Sequence, residues 1–231
     1  MRTLGLIGGM SWVSTAEYYR TVNELVAERL GGLHSAHIIL ESVDFGEIEK
    51  LKLAGRWTDV GAHLAAAAAR LESAGADAIV LCTNTMHFVS EAIERAISIP
   101  FIHIADTTAD AIIATGSSRV GLLATAFTME STFYRDRVAS HGIDVMTPDA
   151  ADRDHVSSII YDELCHNVIR PESRALYLDV VDRLLAEGVE GIILGCTEVE
   201  LLIGPDDVAV PVFPTTRLHA QAAVDFALST P

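Results

Sequence analysis

The sequence predicts an α/β protein in two similar halves, each built on a parallel sheet. Short apolar runs alternate with longer helical patterns along the 231 residues, the order that winds helices around a parallel sheet. Several runs are apolar at every position, as in residues 78–81 (AIVL) and 192–194 (IIL), and a strand buried on both faces reads that way. The third observation is an internal echo. Residues 78–87 (AIVLCTNTMH) and 191–200 (GIILGCTEVE) follow matching helical tails, with Arg70-Leu71 over Arg183-Leu184, Gly75 over Gly188 and Thr83 over Cys196, all at an offset of 113. Gly121 in 119–123 (RVGLL) stands over Gly5 at an offset of 116. Such self-similarity points to repeated units.

Taken in order, residues 3–7 form an apolar strand stopped by Gly8-Gly9. A loop follows, with Ser14 or Thr15 as N-cap of a helix reaching Arg29, since a hydroxyl accepts from the free N–H groups of a first turn. Residues 36–42 are the next strand, 44–52 a polar helix and 59–74 a long helix carrying the run AAAAA. After the strand at 78 and its loop come a helix over 89–96, a short strand over 101–104 opened by Pro100, and a helix over 106–114. The pattern then restarts with strand 119–123, helix 129–140, strand 143–146 and helix 154–165. Pro171 begins a helix to 186, strand 192–195 delivers Cys196, and strand 211–213 with helix 216–228 ends the chain. The first domain is expected at 1–103 with 214–231, the second at 104–213.

Composition narrows the function. Half of the residues are hydrophobic and only 6% aromatic, so the core is built of Ala, Val, Ile and Leu. A formal net charge of −16 argues against nucleic acid, whose phosphates call for clustered Lys and Arg. Three cysteines in no regular framework, Cys82, Cys165 and Cys196, suit a reducing compartment. The opening MRTLGLIGGM is broken too early by glycine for a signal peptide, and no run approaches the ~18 apolar residues of a membrane span. A cytoplasmic protein without membrane contact is expected.

The chemistry is expected at the strand ends, where open α/β sheets place their ligands. Thr83-Asn84-Thr85 and Cys196-Thr197 set small polar groups where a strand passes into a helix, and backbone N–H groups there suit a carboxylate. Beside such donors a thiolate is favoured, which marks Cys196. Cys82 and Cys165 read as fillers. Gly8-Gly9-Met10-Ser11 is a third loop on the same edge, and its glycines let backbone approach a small ligand closely. Thr125 and Thr128 stand in the matching loop of the second half. GLIGGM is not a dinucleotide fingerprint, no Lys follows it as in a phosphate loop, and no serine sits in a nucleophile elbow. The histidines and cysteines show no metal spacing. His87, four residues after Thr83, suits capping or support better than general base.

These stretches together resemble a known family. GLIGGMSW, HSA at 34–36, SVDF at 42–45, LCTNTMH, IYDELC at 160–165 and GCTE, nearly end to end and in order, are similar to the cofactor-independent aspartate/glutamate racemases, in particular the bacterial L-aspartate/glutamate-specific branch. The resemblance implies two pseudo-symmetric flavodoxin-like domains with the substrate in the cleft between them, often a homodimer. It implies two-base proton transfer at Cα without pyridoxal phosphate or metal. Carried over, Cys196 is one base. The other position, cysteine in many relatives, is Thr83 here, so a kinetically one-sided racemase is expected. Met10, Ser11, Asn84, Thr85, Thr125, Thr128, Thr197 and Glu198 are the candidate substrate-binding residues. The basic residues that hold the distal carboxylate in relatives are not matched, and Lys52 is the best substitute. A decarboxylase or isomerase of small dicarboxylates on the same scaffold is an alternative, as is an amino-acid-binding sensor, which Thr83 in place of Cys would suit.

Overall fold

In the computed structural model, residues 1–166 and 168–229 are described. The chain divides into two compact units, the first holding residues 1–103 and those from His219 onward, the second residues 104–218. The chain thus re-enters the first unit at His219 rather than at the expected 214. The reason is that the last helix starts against a strand end of the second unit and only then buries Ala220, Ala223 and Val224 in the first. Residues 230 and 231 of the expected first domain lie outside the described residues.

The first unit is a four-stranded parallel sheet in the order β2-β1-β3-β4, made of β1 (Leu4–Gly8), β2 (Ile38–Ser42), β3 (Ala78–Leu81) and β4 (Phe101–Ile102). Its inner strands alternate with period two, and both faces are apolar. Leu4, Leu6 and Val80 meet Tyr18, Val22 and Val26 of α1 (Trp12–Leu30) and the apolar side of α10 (Thr215–Leu228). Ile7, Ile79 and Leu81 meet Ile48 of α2 (Phe45–Leu53), Val60, Leu64 and Leu71 of α3 (Trp57–Ser73) and Ile93 of α4 (Ser90–Glu94). Burial of each such side chain stabilises by about 1.5–3 kcal/mol. Ser11, not Ser14 or Thr15, caps α1, its side chain accepting from the Ser14 amide. Ser14 and Thr15 lie buried in the first turn instead.

The second unit repeats the arrangement as β6-β5-β7-β8, with β5 (Arg119–Leu123), β6 (Asp144–Met146), β7 (Ile192–Leu194) and β8 (Val212–Pro214) all parallel. Its helices are α5 (Ile104–Thr115), α6 (Ala126–Glu130), α7 (Thr132–Ala139), α8 (Ala150–Asp162) and α9 (Pro171–Ala186). The single helix expected over 129–140 is two, because Ser131 is extended and ends α6 while starting α7. Serine competes for backbone partners and favours such junctions.

The internal echo is a duplication of packing. Gly5 pairs with Ile79 in the first sheet and Gly121 with Ile192 in the second. A Cβ on Gly5 would stand 2.9 Å from Ile79 Cδ1 and 3.2 Å from Leu71 Cβ; one on Gly121 would stand 3.1 Å from Ile192 Cδ1 and 2.9 Å from Leu184 Cδ1. The residues matched by sequence are matched in contact. In each sheet the connections leave the two inner strands in opposite directions, so β1 with β3, and β5 with β7, form the switch point at which α/β sheets bind ligands.

Candidate active site

In the first unit the exit from β3 carries Cys82, Thr83, Asn84 and Thr85. Cys82 is fully buried beside Leu4 and Val80, and burial pushes its thiol far up. It is a core residue. The chain then turns sharply, the Thr83 amide donating to the Leu81 carbonyl at 2.8 Å, and a 3-10 helix runs over Thr85–Val89. That turn shortens the helix expected over 89–96 to α4, Ser90–Glu94. Asn84 is buried, while Thr83 and Thr85 are half-buried. His87 is 2% exposed, and its Nδ1 lies 2.7 Å from the Thr83 carbonyl. A carbonyl only accepts, so Nδ1 carries the hydrogen.

The neighbouring loop after β1 is spent on internal packing. Gly9 has φ +95, and a Cβ there would meet the Val43 carbonyl oxygen at 2.2 Å; one on Gly8 would meet Thr15 Cγ2 at 2.3 Å. The Gly9 amide donates to Thr15 Oγ1, which in turn donates to the Ser11 carbonyl, each at 2.8 Å. The glycines expected to admit a ligand thus admit Val43 and Thr15. Met10 is buried in the apolar cluster with Ile7 and Ile48, and the Ser11 hydroxyl serves the helix cap. Lys52 lies in the last turn of α2 with its side chain 12% exposed, and its Nζ is 2.8 Å from Glu49 Oε1. A carboxylate already stands on the cation expected to hold one.

In the second unit the exit from β7 is drawn tight by the Gly195 amide, which donates to the Leu123 carbonyl at 2.7 Å. Cys196 is half-buried, and its Sγ donates to Glu198 Oε2 at 3.0 Å. Glu198 is 6% exposed. Burial first, and the Glu198 carboxylate second, hold the Cys196 thiol well above its ordinary range. This corrects the expectation of a thiolate favoured by donors: what faces the sulfur is an acceptor. On the 3-10 turn Leu164–His166 the Cys165 thiol is pushed up to about 11 by partial desolvation of its sulfur and by the same carboxylate.

The start of α10 buttresses this loop. Thr215 Oγ1 donates to the Leu194 carbonyl at 2.8 Å; the Thr216 amide donates to Glu200 Oε1 and its hydroxyl to Thr197 Oγ1, both at 3.1 Å. Sequence reasoning missed these threonines as site supports. Their one signal was an echo of Thr107-Thr108 at an offset of 108. After β5, Thr125 and Thr128 are buried with their hydroxyl oxygens 3.1 Å apart. Each unit therefore brings its candidate residues to the ends of its two inner strands, and Lys52 joins them from the last turn of α2. Among the described residues no group of three or more His, Cys, Asp or Glu side chains is placed to hold a metal ion, and no helix is long and apolar enough to cross a membrane.

A duplicated α/β chain that ends matching inner strands in Thr83-Asn84-Thr85 and Cys196-Thr197-Glu198 falls among the racemases, enzymes of the isomerase class. The family described as Asp/Glu/Hydantoin racemase matches residues 7–223, and the chain belongs to it. It is 54% identical to a candidate Asp/Glu racemase from Yersinia pestis whose crystal structure it matches with a TM-score of 0.95, over 99% of this chain and 100% of the other. An aspartate racemase homologue from Pyrococcus horikoshii OT3 is 30% identical with a TM-score of 0.90, over the same shares of the two chains. The broad specificity amino-acid racemase of Bacillus subtilis (strain 168) is 22% identical over 96% of both chains.

Proposed function

We propose that the protein racemises aspartate or glutamate by proton transfer at Cα, with Cys196 serving one face of the carbon and Thr83 the other. The single observation that carries this reading is the Cys196 thiol donating to Glu198 at the strand end whose duplicate holds Thr83. In the resting state the proton sits on sulfur. Substrate binding lets it pass to the Glu198 carboxylate, and the resulting thiolate takes the α-proton. The electron pair of the broken C–H bond delocalises into the α-carboxylate, which needs strong donors because the α-proton is a very weak acid. Asn84, Thr85 and Thr197 are the donors we assign to that group, with Met10, Ser11, Thr125 and Thr128 shaping the loops that surround it. On the opposite face the Thr83 hydroxyl gives its proton to the carbanion and is reprotonated by water, while Glu198 releases the proton it took from Cys196 to the hydroxide so formed, which restores the resting state.

Neither pyridoxal phosphate nor a metal enters this scheme. Lys52 is our candidate for the distal carboxylate, its charge shared with Glu49. We also propose a cytoplasmic homodimer. The unpaired cysteines support the compartment, and Trp12, Tyr19 and Leu30, exposed along α1, support a second copy. The test is α-hydrogen exchange in deuterated water, followed by proton NMR over a panel of L- and D-amino acids with the native protein and Cys196→Ser. Exchange of acidic amino acids by the native protein, abolished in the variant, is expected. Binding without exchange would overturn the proposal in favour of a sensor, and loss of carboxylate from a dicarboxylate would turn it into a decarboxylase.

A further inference from the structure

The loop after β3 is tied to a buried cluster that the scheme above leaves unused. His219 is fully buried and held at both ring nitrogens: it donates from Nε2 to the Ile102 carbonyl at 2.7 Å and accepts at Nδ1 from the Tyr18 hydroxyl at 2.9 Å. His87 packs against it with ring centroids 5.8 Å apart, against His103 at 4.6 Å and against Phe101 at 5.5 Å. A ring wedged on three sides cannot swing, so its Nδ1–H is a fixed donor. That donor meets the Thr83 carbonyl at 2.7 Å, while the His87 amide donates to the Asn84 carbonyl at 3.0 Å. The β1–β3 pairing stops at Leu81, so the turn over 83–87 lies beyond the ladder and is closed from within. Burial first, and then the neighbouring His103 and His219, hold the His87 pKa well below its ordinary value, so that ring is neutral.

We propose that His87 is the positioning residue for Thr83, its Nδ1–H gripping the Thr83 carbonyl and so fixing where the Thr83 hydroxyl stands. The inference rests on the reading of Thr83 as the group serving the second face. A group that acts only by position affects the step its partner performs and little else; misplacement by about 1 Å can cost roughly 100-fold.

The experiment pairs two amides of different reach. His87→Asn sets its amide nitrogen near the place of Nδ1 and keeps the grip, whereas His87→Gln reaches one bond further and loses it. Exchange of each enantiomer in deuterated water is measured for both variants, with kcat and KM separated and melting temperatures compared. His87→Gln is expected to lower kcat about 10- to 100-fold for the enantiomer served by Thr83, with KM within about 3-fold and the other enantiomer within about 3-fold. His87→Asn is expected to restore most of that loss. In a Thr83→Ala background His87→Gln is expected to have no further effect. Equal slowing of both enantiomers, or an undiminished effect in the Thr83→Ala background, would reduce His87 to packing and overturn the proposal. Thr83→Ala alone, with no effect on either enantiomer, would remove the reading beneath it; a selective loss there with both His87 variants native-like would sink the positioning role only.

Discussion

Cys196 Sγ donates to Glu198 Oε2 at 3.0 Å, two residues along the same loop, and the carboxylate is 6% exposed. A buried acceptor this close makes the thiol a poor acid at rest, and in the proposed scheme it becomes a base once its proton moves across. The carboxylate supplies the acceptor that a lone thiol in this position would lack.

Glu198→Gln separates the two effects. Burial and the Glu198 charge both hold the thiol up, so removing the charge is expected to bring the Cys196 pKa down. The rate of alkylation by iodoacetamide against pH should then rise at lower pH than in the native protein. Racemisation should fall all the same, by about 100-fold or more, because general base catalysis of this kind contributes roughly 10²–10⁴. A midpoint that stays put or moves up would show that the carboxylate does not govern the thiol.

Cys196→Ser replaces the thiol by a far weaker acid of similar size. Its half-buried place on a loop makes it tolerant, so the melting temperature should stay within a few degrees. Turnover should drop by at least about 1,000-fold, the scale on which removing a catalytic nucleophile or base acts. Chiral chromatography of products after long incubation checks it, and near-native turnover would discard the mechanism.

The Lys52–Glu49 pair, with Nζ 2.8 Å from Oε1, leads to a prediction of opposite signs. If Lys52 holds the distal carboxylate, Glu49 competes with substrate for it. Glu49→Gln should then lower KM for aspartate and leave alanine unchanged, whereas Lys52→Ala should raise KM for aspartate, by up to the 2–5 kcal/mol that an unpaired buried charge costs. Parallel effects on aspartate and alanine would make the pair a structural one.

The buried histidines predict acid sensitivity. His219 is held near 4, chiefly by burial, and His87 is lowered by burial and by its neighbours. The unfolded chain takes up protons on both below the ordinary histidine value of ~6.5. The folded chain resists until far lower pH, so stability is lost as pH falls through that window, at about 1.4 kcal/mol per pH unit for each histidine. Urea unfolding at a series of pH values between ~7 and ~4.5 measures the slope. His219→Gln should flatten it, and an unchanged slope would assign the loss to other groups.

Much of this was legible in the sequence, for reasons particular to each part. The runs AIVL and IIL read as strands buried on both faces because turn-forming residues bound them, and the matched Gly5 and Gly121 are matched because Leu71 and Leu184 come close to them. What stayed hidden depends on contacts that spacing does not encode. Gly8 and Gly9 signalled close approach, yet the approaching groups are Thr15 and Val43. The charge facing Cys196 depends on which way a two-residue turn bends, and burial of the thiol follows from the whole unit. The ring cluster joins His87, His103 and His219 from three separate segments, and no local pattern announces it.

In the proposed two-base scheme Thr83 sets which enantiomer is the slower to exchange. It stands at the position duplicated as Cys196, but a threonine hydroxyl has no accessible anion near neutral pH, whereas the Cys196 thiol has the Glu198 carboxylate at 3.0 Å to take its proton. His87, the nearest base in the sequence, is committed to the Thr83 carbonyl through Nδ1. In that scheme the two abstractions therefore have unequal bases. The enantiomer whose proton faces Cys196 should exchange in deuterated water much faster than its mirror image. The two forms must still reach equal amounts at equilibrium, since a catalyst cannot shift the balance, so the bias shows only in rates. Thr83→Cys installs a thiol on the slow face and should raise exchange from that side most, by 10-fold or more if about 1.4 kcal/mol of barrier is removed. Equal exchange of both enantiomers by the native protein, unchanged by Thr83→Cys, would end the two-base reading.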